Sequence, residues 1–168
     1  MPVTGEYEPS PSARVRKHVE EMETTGQPTE TPLGLPIVVM TFHARRSRKV
    51  HKTAVMKVEH DGAYALVASM GGAPQHPQWY HALTQHPDLD LQDGTEKYAM
   101  RVRELHGDER AQWWERAVEA YPPYADYQRK TDREIPVVVL DRPRHEDGIR
   151  QIREAGSRIR PPACAARS

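Results

Sequence analysis

The sequence predicts a mainly β protein of the α+β class: six strands in a mostly antiparallel barrel with helical insertions. Three observations carry this. Six short segments of apolar or alternating residues are bounded by turn residues. Two segments with helical spacing interrupt them. The links between strands two and three, and between four and five, are too short for the crossovers that parallel pairs need. The chain of 168 residues fits one domain by the usual ~100–200 residues per domain.

Taken in order, residues 1–32 read as an arm. Residues 4–12 are rich in Pro, Ser and Glu, and residues 24–36 hold four Thr and three Pro. Between them a short helix over 12–22 is expected, with Ser12 as N-cap and only Val15, Val19 and Met22 apolar at helical spacing. The folded domain is expected over 33–140. Residues 37–42 form a β-branched strand. Residues 55–60 alternate and end at Asp61-Gly62, a tight hairpin turn, from which 63–68 return. A helix over 77–85 has Pro77 in its first turn, where a missing N–H costs nothing. Residues 88–92 form a short strand ending at Asp93-Gly94, and 98–105 alternate as its partner. A second helix over 108–120, with Asp108 as N-cap, places Ala111, Trp114, Ala117 and Val118 on one side. Residues 135–140, with Pro136 near the start, make the last strand. Residues 141–168 form a basic tail, with seven Arg beyond residue 141 and a short helix expected over 147–155.

Composition narrows the function classes. Lys+Arg and Asp+Glu both number 24, so the net charge is zero, which argues against a nucleic-acid partner. Purely apolar runs such as 37–40 are far short of the ~20 residues of a membrane span, which leaves only peripheral contact through the terminal arms. Residues 1–12 lack an apolar signal core, and the lone Cys164 has no partner. A soluble cytoplasmic protein is expected. His76, His81 and His86 are spaced by five, not the three or four that put two ligands on one helical face, so no metal is expected.

Three segments carry candidate chemistry. Residues 43–52 concentrate Arg45, Arg46, Arg48, Lys49, His51 and Lys52 around the hydroxyl of Ser47, a loop suited to phosphate or carboxylate groups. Residues 68–76 run from a strand through Ser69, Met70, Gly71 and Gly72 to a helix start, an arrangement that presents free N–H groups to an anion. Trp79 and Tyr80 follow one turn into that helix, one of them expected in the core. Tyr121, Tyr124 and Tyr127 recur every third residue and would stack along one side of a helical segment, lining a cavity. No acid–base pair with hydrolase or transferase spacing accompanies them.

Together these segments resemble a known family. Gly34-Leu-Pro-Ile-Val-Val, Met56-Lys-Val-Glu-His-Asp-Gly-Ala-Tyr, the run from Val67 through Ser69-Met-Gly-Gly to Trp79-Tyr80, Ala120-Tyr-Pro-Pro-Tyr-Ala-Asp-Tyr-Gln128 and Thr131-Asp-Arg-Glu-Ile-Pro136 resemble the deazaflavin-dependent nitroreductases of actinobacteria. The likeness covers about residues 33–140. It implies the split β-barrel of flavin-reductase-like proteins. It also implies coenzyme F420, an anionic deazaflavin with a phosphate and a polyglutamate tail. The implied reaction is hydride transfer from reduced F420 to a small electron-poor molecule (a quinone, enone or nitro compound), with a place in specialised metabolism one option.

Carried over, the resemblance gives Arg45, Arg46, Ser47, His51, Thr53, Ser69, Met70, Gly71, Gly72 and Trp79 as cofactor-binding candidates. Tyr121, Tyr124 and Tyr127 become substrate-binding candidates. Ser69, Tyr124 and Tyr127 are the candidates for handling a proton. The chain departs from the family loop at Ala44, Arg48, Val50, His51 and Ala54, and Met70 replaces a Lys before the glycine pair. These departures motivate a second reading: a cofactor-independent member of the fold that binds, isomerises or cyclises a hydrophobic metabolite among the tyrosines. Analogy within the fold suggests a homodimer.

Overall fold

The structure, a computed structural model, describes residues 3–141. The tail beyond, including the helix expected over 147–155 and Cys164, lies outside the described residues. The elements run α1 (Ala13–Thr25), β1 (Ile37–His43), β2 (Val50–Met56), β3 (Val58–His60), β4 (Ala63–Val67), α2 (Gln78–Gln85), β5 (Asp88–Asp93), β6 (Glu96–Glu104), α3 (Gly107–Ala120), α4 (Pro123–Arg129) and β7 (Val137–Asp141).

The strands form one seven-stranded sheet in the order β2-β1-β5-β6-β7-β4-β3, with every named pair antiparallel. The helices carry as many residues as the strands, so the fold is mixed α+β rather than mainly β; the antiparallel sheet with helical insertions holds. The count of six and the closed barrel do not. The segment expected as one strand over 55–60 is broken at Lys57, whose N–H turns away to the carbonyl of Pro36 (3.0 Å). On one side of Lys57, Val55 and Met56 pair with β1; on the other, Val58 to His60 pair with β4. The sheet thus has two edge strands, β2 and β3, joined through a single residue rather than by a hydrogen-bonded ladder. The Lys57 ammonium fastens this junction to Asp93 (2.9 Å), which also accepts from the Tyr64 hydroxyl (2.6 Å).

Other boundaries shift for local reasons. Residues 50–54, expected in a long basic loop, belong to β2, because Val50 to Met56 pair in register with His43 to Ile37. The first hairpin turn is as expected: Asp61 (φ 53°) and Gly62 (φ 82°) both take the left-handed backbone of a tight primed turn. The second lies one residue later, with Asp93 pairing Glu96. The N-cap position of α3 is His106 rather than Asp108, and Pro77 is the N-cap of α2 rather than part of its first turn. Asp108 sits in the first turn of α3 instead, where its charge still suits the helix dipole. The last strand begins at Val137, after Pro136.

Alternation along the strands divides the core. One face, with Val38, Met40, Phe42, Leu66, Leu89, Leu91, Met100, Val138 and Leu140, packs under α2 through Ala82 and Leu83. The opposite face of β4 and β7, with Ala65, Val67, Val137 and Val139, is covered by α3 and α4 through Trp113, Ala117, Tyr121 and Tyr124. α1 begins at its Ser12 cap and covers the outer face of β1 with Val19 and Met22 against Ile37 and Val39.

Candidate functional site

Two cavities meet at Trp79. The larger, about 650 Å³, is lined by the loop after β1 (Ala44, Arg45, Arg46, Ser47), by His51 of β2, and by Gln75, His76, Gln78, Trp79 and His81 at the start of α2. The smaller, about 380 Å³, is lined by Ser69, Met70, Gly71, Trp79, Tyr121, Tyr124 and Tyr127, with Val55 and Met56 of β2 and with Arg14, Val15 and His18 of α1. The structure thus brings nearly all the predicted residues to one continuous region. Thr53 and Gly72 are the exceptions. Thr53 shares the β2 face of His51 and Val55, between the two cavities, but lines neither. Gly72 is buried against α4: a Cβ there would stand 2.8 Å from the carbonyl oxygen of Tyr127.

The basic loop is short and turned back on itself. Ala44 N–H donates to the Lys49 carbonyl (2.8 Å), Lys49 N–H donates to the Ser47 hydroxyl (3.2 Å), and Arg48 takes φ 61°. Arg45, Arg46 and Arg48 are exposed and make no ion pair among the described residues. The N–H donors of Arg45 and Arg46 remain available at the larger cavity, where anionic groups would be met.

The smaller cavity owes its wall to the break after α3. Tyr121 caps α3, and α4 starts two residues later at Pro123, so the three tyrosines cluster. Their ring centroids lie 5.0–6.1 Å apart, and the hydroxyls of Tyr121 and Tyr127 are 3.1 Å from each other. Burial, then the bond to Tyr127, pushes the Tyr121 phenol up to about 12. Tyr124 is 4% exposed, and burial raises its phenol further. Ser69 is 7% exposed. Neither the Tyr124 nor the Ser69 hydroxyl has a hydrogen-bond partner among the described residues. A buried hydroxyl without a partner is costly, and both residues border the smaller cavity, where a ligand atom could pair with them.

Met70 is 54% exposed at the cavity's edge, with φ 48°, a backbone conformation uncommon for a non-glycine residue. Tyr80, next to Trp79, is partly committed elsewhere: its hydroxyl donates to Glu104 (2.9 Å), and burial with that bond raises it to about 12.

Two sets of residues escaped the sequence reading. Arg14 and His18 reach the smaller cavity only because α1 folds back over β1 and β2, and a helix with three apolar positions gives no such hint. His76 and Arg133 form the second set. The Arg133 guanidinium donates to the carbonyls of Ala73 (2.8 Å), Ala68 (3.2 Å) and Ser69 (2.8 Å) and to Nδ1 of His76 (2.9 Å). Burial, then the nearby Arg133 charge, lowers the His76 imidazole below its ordinary value. The place of Arg133 within the family-like run from Thr131 to Pro136 was the only available signal.

Residues 14–142 match the F420H(2)-dependent quinone reductase family. The chain belongs to that family. The putative F420H(2)-dependent quinone reductase Rv3178 of Mycobacterium tuberculosis is 34% identical over 110 residues, covering 66% of this chain and 92% of that protein. The F420H(2)-dependent quinone reductase Rv1261c of the same organism is 37% identical over 95 residues, 54% of this chain and 64% of that protein. Among solved structures, an F420-H2 dependent reductase is 48% identical, with a TM-score of 0.61 over 63% of this chain and 94% of its own. Another, described as a domain-swapped dimer, is 44% identical, with a TM-score of 0.64 over 73% and 91%.

As a member of this family the chain is an oxidoreductase that uses coenzyme F420. The resemblance to deazaflavin-dependent reductases therefore holds, and the cofactor-independent reading finds no support in these relatives. The residues present suit the coenzyme. Arg45 and Arg46, without ion pairs among the described residues, line a large cavity fit for the anionic tail, and Trp79 joins it to a tyrosine-walled cavity with two hydroxyls that lack a partner among those residues. No cluster of His, Cys, Asp or Glu able to hold a metal occurs among the described residues.

Proposed function

We propose that this chain transfers a hydride from reduced F420 to a small quinone, with the cofactor's phosphate and tail in the larger cavity and its ring and the quinone in the smaller. Bound reduced F420 supplies the hydride. Arg45, Arg46, Ser47 and His51 hold the anionic part, and Trp79 walls the ring. Ser69 and the Gly71 backbone orient the ring edge. The Tyr124 hydroxyl donates to the quinone carbonyl oxygen, where negative charge grows as the hydride arrives. Tyr121 and Tyr127 share one hydrogen bond between two hydroxyls, which leaves one O–H free as a second donor. α1 contributes Val15 and His18 to one wall of the cavity. The observation that carries this reading is the pair of buried, unpartnered hydroxyls of Ser69 and Tyr124 in one cavity.

The test is anaerobic mixing of the protein with reduced F420 and menadione, followed by the absorbance of reoxidised F420. Protein-dependent reoxidation is expected. Its absence, together with no fluorescence change on titration with oxidised F420 to tens of micromolar, would reject the reading. No described helix is long and apolar enough to cross a membrane. The domain-swapped relative supports a homodimer, which light scattering of the purified chain checks.

A further inference from the structure

Between the two cavities lies a polar group that the proposed reaction leaves unused. Arg133 sits on the segment between α4 and β7, and that segment is itself anchored. Gln128 of α4 donates to the Arg133 carbonyl (2.8 Å) and accepts from Ile135 N–H (3.0 Å). From there the guanidinium reaches both ends of the segment 68–76, which carries Ser69, Met70 and the glycine pair. It makes no ion pair among the described residues and spends its donors on three carbonyls and one imidazole nitrogen.

The imidazole contact has a chemical consequence. A guanidinium has donors only, so Nδ1 of His76 must accept. The proton of neutral His76 is therefore on Nε2. That nitrogen has no hydrogen-bond partner among the described residues, and His76 lines the larger cavity. The ring is flanked by Tyr80 (4.8 Å) and His81 (5.7 Å), with Glu104 the nearby acid.

We propose that Arg133 is a positioning residue for the cofactor site, locking the segment 68–76 through three carbonyls and holding His76 as a neutral Nε2–H donor for polar groups of the ligand in the larger cavity. Arg133 touches no ligand; it acts through His76 and the backbone around Ser69. His76 is the contact residue. This inference rests on the assignment of the larger cavity to F420.

Two measurements test it, one of which needs no cofactor. Nitrogen-15 spectra of the imidazoles in the ligand-free protein should show His76 at neutral pH as the Nε2–H tautomer. A proton on Nδ1, or an imidazolium at pH 7, overturns the proposal. Titration with oxidised F420 then compares variants. His76→Asn keeps an acceptor near the Nδ1 position but loses the outer donor, so its melting temperature should stay near wild type while F420 binding weakens about tenfold. Unchanged affinity overturns the donor role. Arg133→Lys keeps the charge but not the fork. It should weaken F420 binding by a similar factor and shift the His76 spectrum. Wild-type affinity with an unshifted spectrum overturns the positioning role. If the wild-type protein binds no F420, the functional reading fails by itself, while the tautomer measurement still decides whether Arg133 sets His76.

Discussion

The Tyr124 ring packs in the core beneath α3 and α4, while its hydroxyl borders the smaller cavity. Its hydroxyl is enclosed and has no partner among the described residues, so Tyr124→Phe removes a group that the free protein holds at a cost. The melting temperature should stay level or rise, while kcat/KM for a quinone falls about tenfold or more. A parallel loss of stability and activity would mean that the hydroxyl has a structural partner. Met70 gives a second test at this scale. Its side chain is 54% exposed, so the ammonium of Met70→Lys stays solvated and meets no burial penalty. F420 affinity, read by fluorescence titration, should rise, by up to tenfold if the charge reaches the anionic part of the cofactor. Many residues that line the two cavities were legible in the sequence. The arginines, the glycine pair and the tyrosine row announce themselves by charge, backbone freedom and spacing. Arg133 did not, because its role lies in which carbonyls it reaches, and a sequence does not display those distances.

At the scale of elements, α1 shows why a weak amphipathic pattern can still specify packing. Val19 and Met22 suffice because the outer face of β1 offers Ile37 and Val39, and buried Gln92 donates to the Met22 carbonyl (2.9 Å). Met22 is 1% exposed, so Met22→Ala should lower stability by about 2–5 kcal/mol in denaturant unfolding. A loss well under 1 kcal/mol would mean that the helix is only loosely seated. The segment before α1 also has a job that its composition hid. Glu8 N–H and the Glu6 carbonyl pair with Val50 (2.9 and 2.7 Å), extending the sheet edge beside β2. Their carboxylates reach His51 (3.0 Å) and Lys49 (3.8 Å). Both contacts are exposed, so each is weak. Glu6→Gln with Glu8→Gln should tighten F420 binding only about two- to fivefold at low salt, with the gain vanishing at high ionic strength. A gain that persists in high salt would contradict this electrostatic origin. The seventh strand was illegible for a similar reason: residues 50–54 read as a charged loop, and only pairing with β1 makes them a strand.

Across the whole molecule, hydrophobic alternation revealed the antiparallel sheet, whereas the edge at Lys57 depends on one backbone N–H choosing Pro36. The same long-range economy links the site to the stability of the fold. Arg133 ties α4, the segment 68–76 and the approach to β7 into one polar junction, and that junction needs a neutral His76 to accept at Nδ1. Burial and the Arg133 charge hold the imidazole below its ordinary 6.5, so the unfolded chain binds this proton more readily than the folded one. The stabilising contribution is therefore complete above about pH 6.5 and is lost as the pH falls through the lower folded value. Thermal melts should show the wild-type midpoint declining as the pH drops below 6.5. Other groups also lose stability in acid, so the comparison that decides is with His76→Asn, which cannot take up that proton. The variant's midpoint should fall less steeply over the same interval. Parallel slopes would mean that His76 titrates alike in the folded and unfolded chains, and that the junction gains nothing from its neutrality.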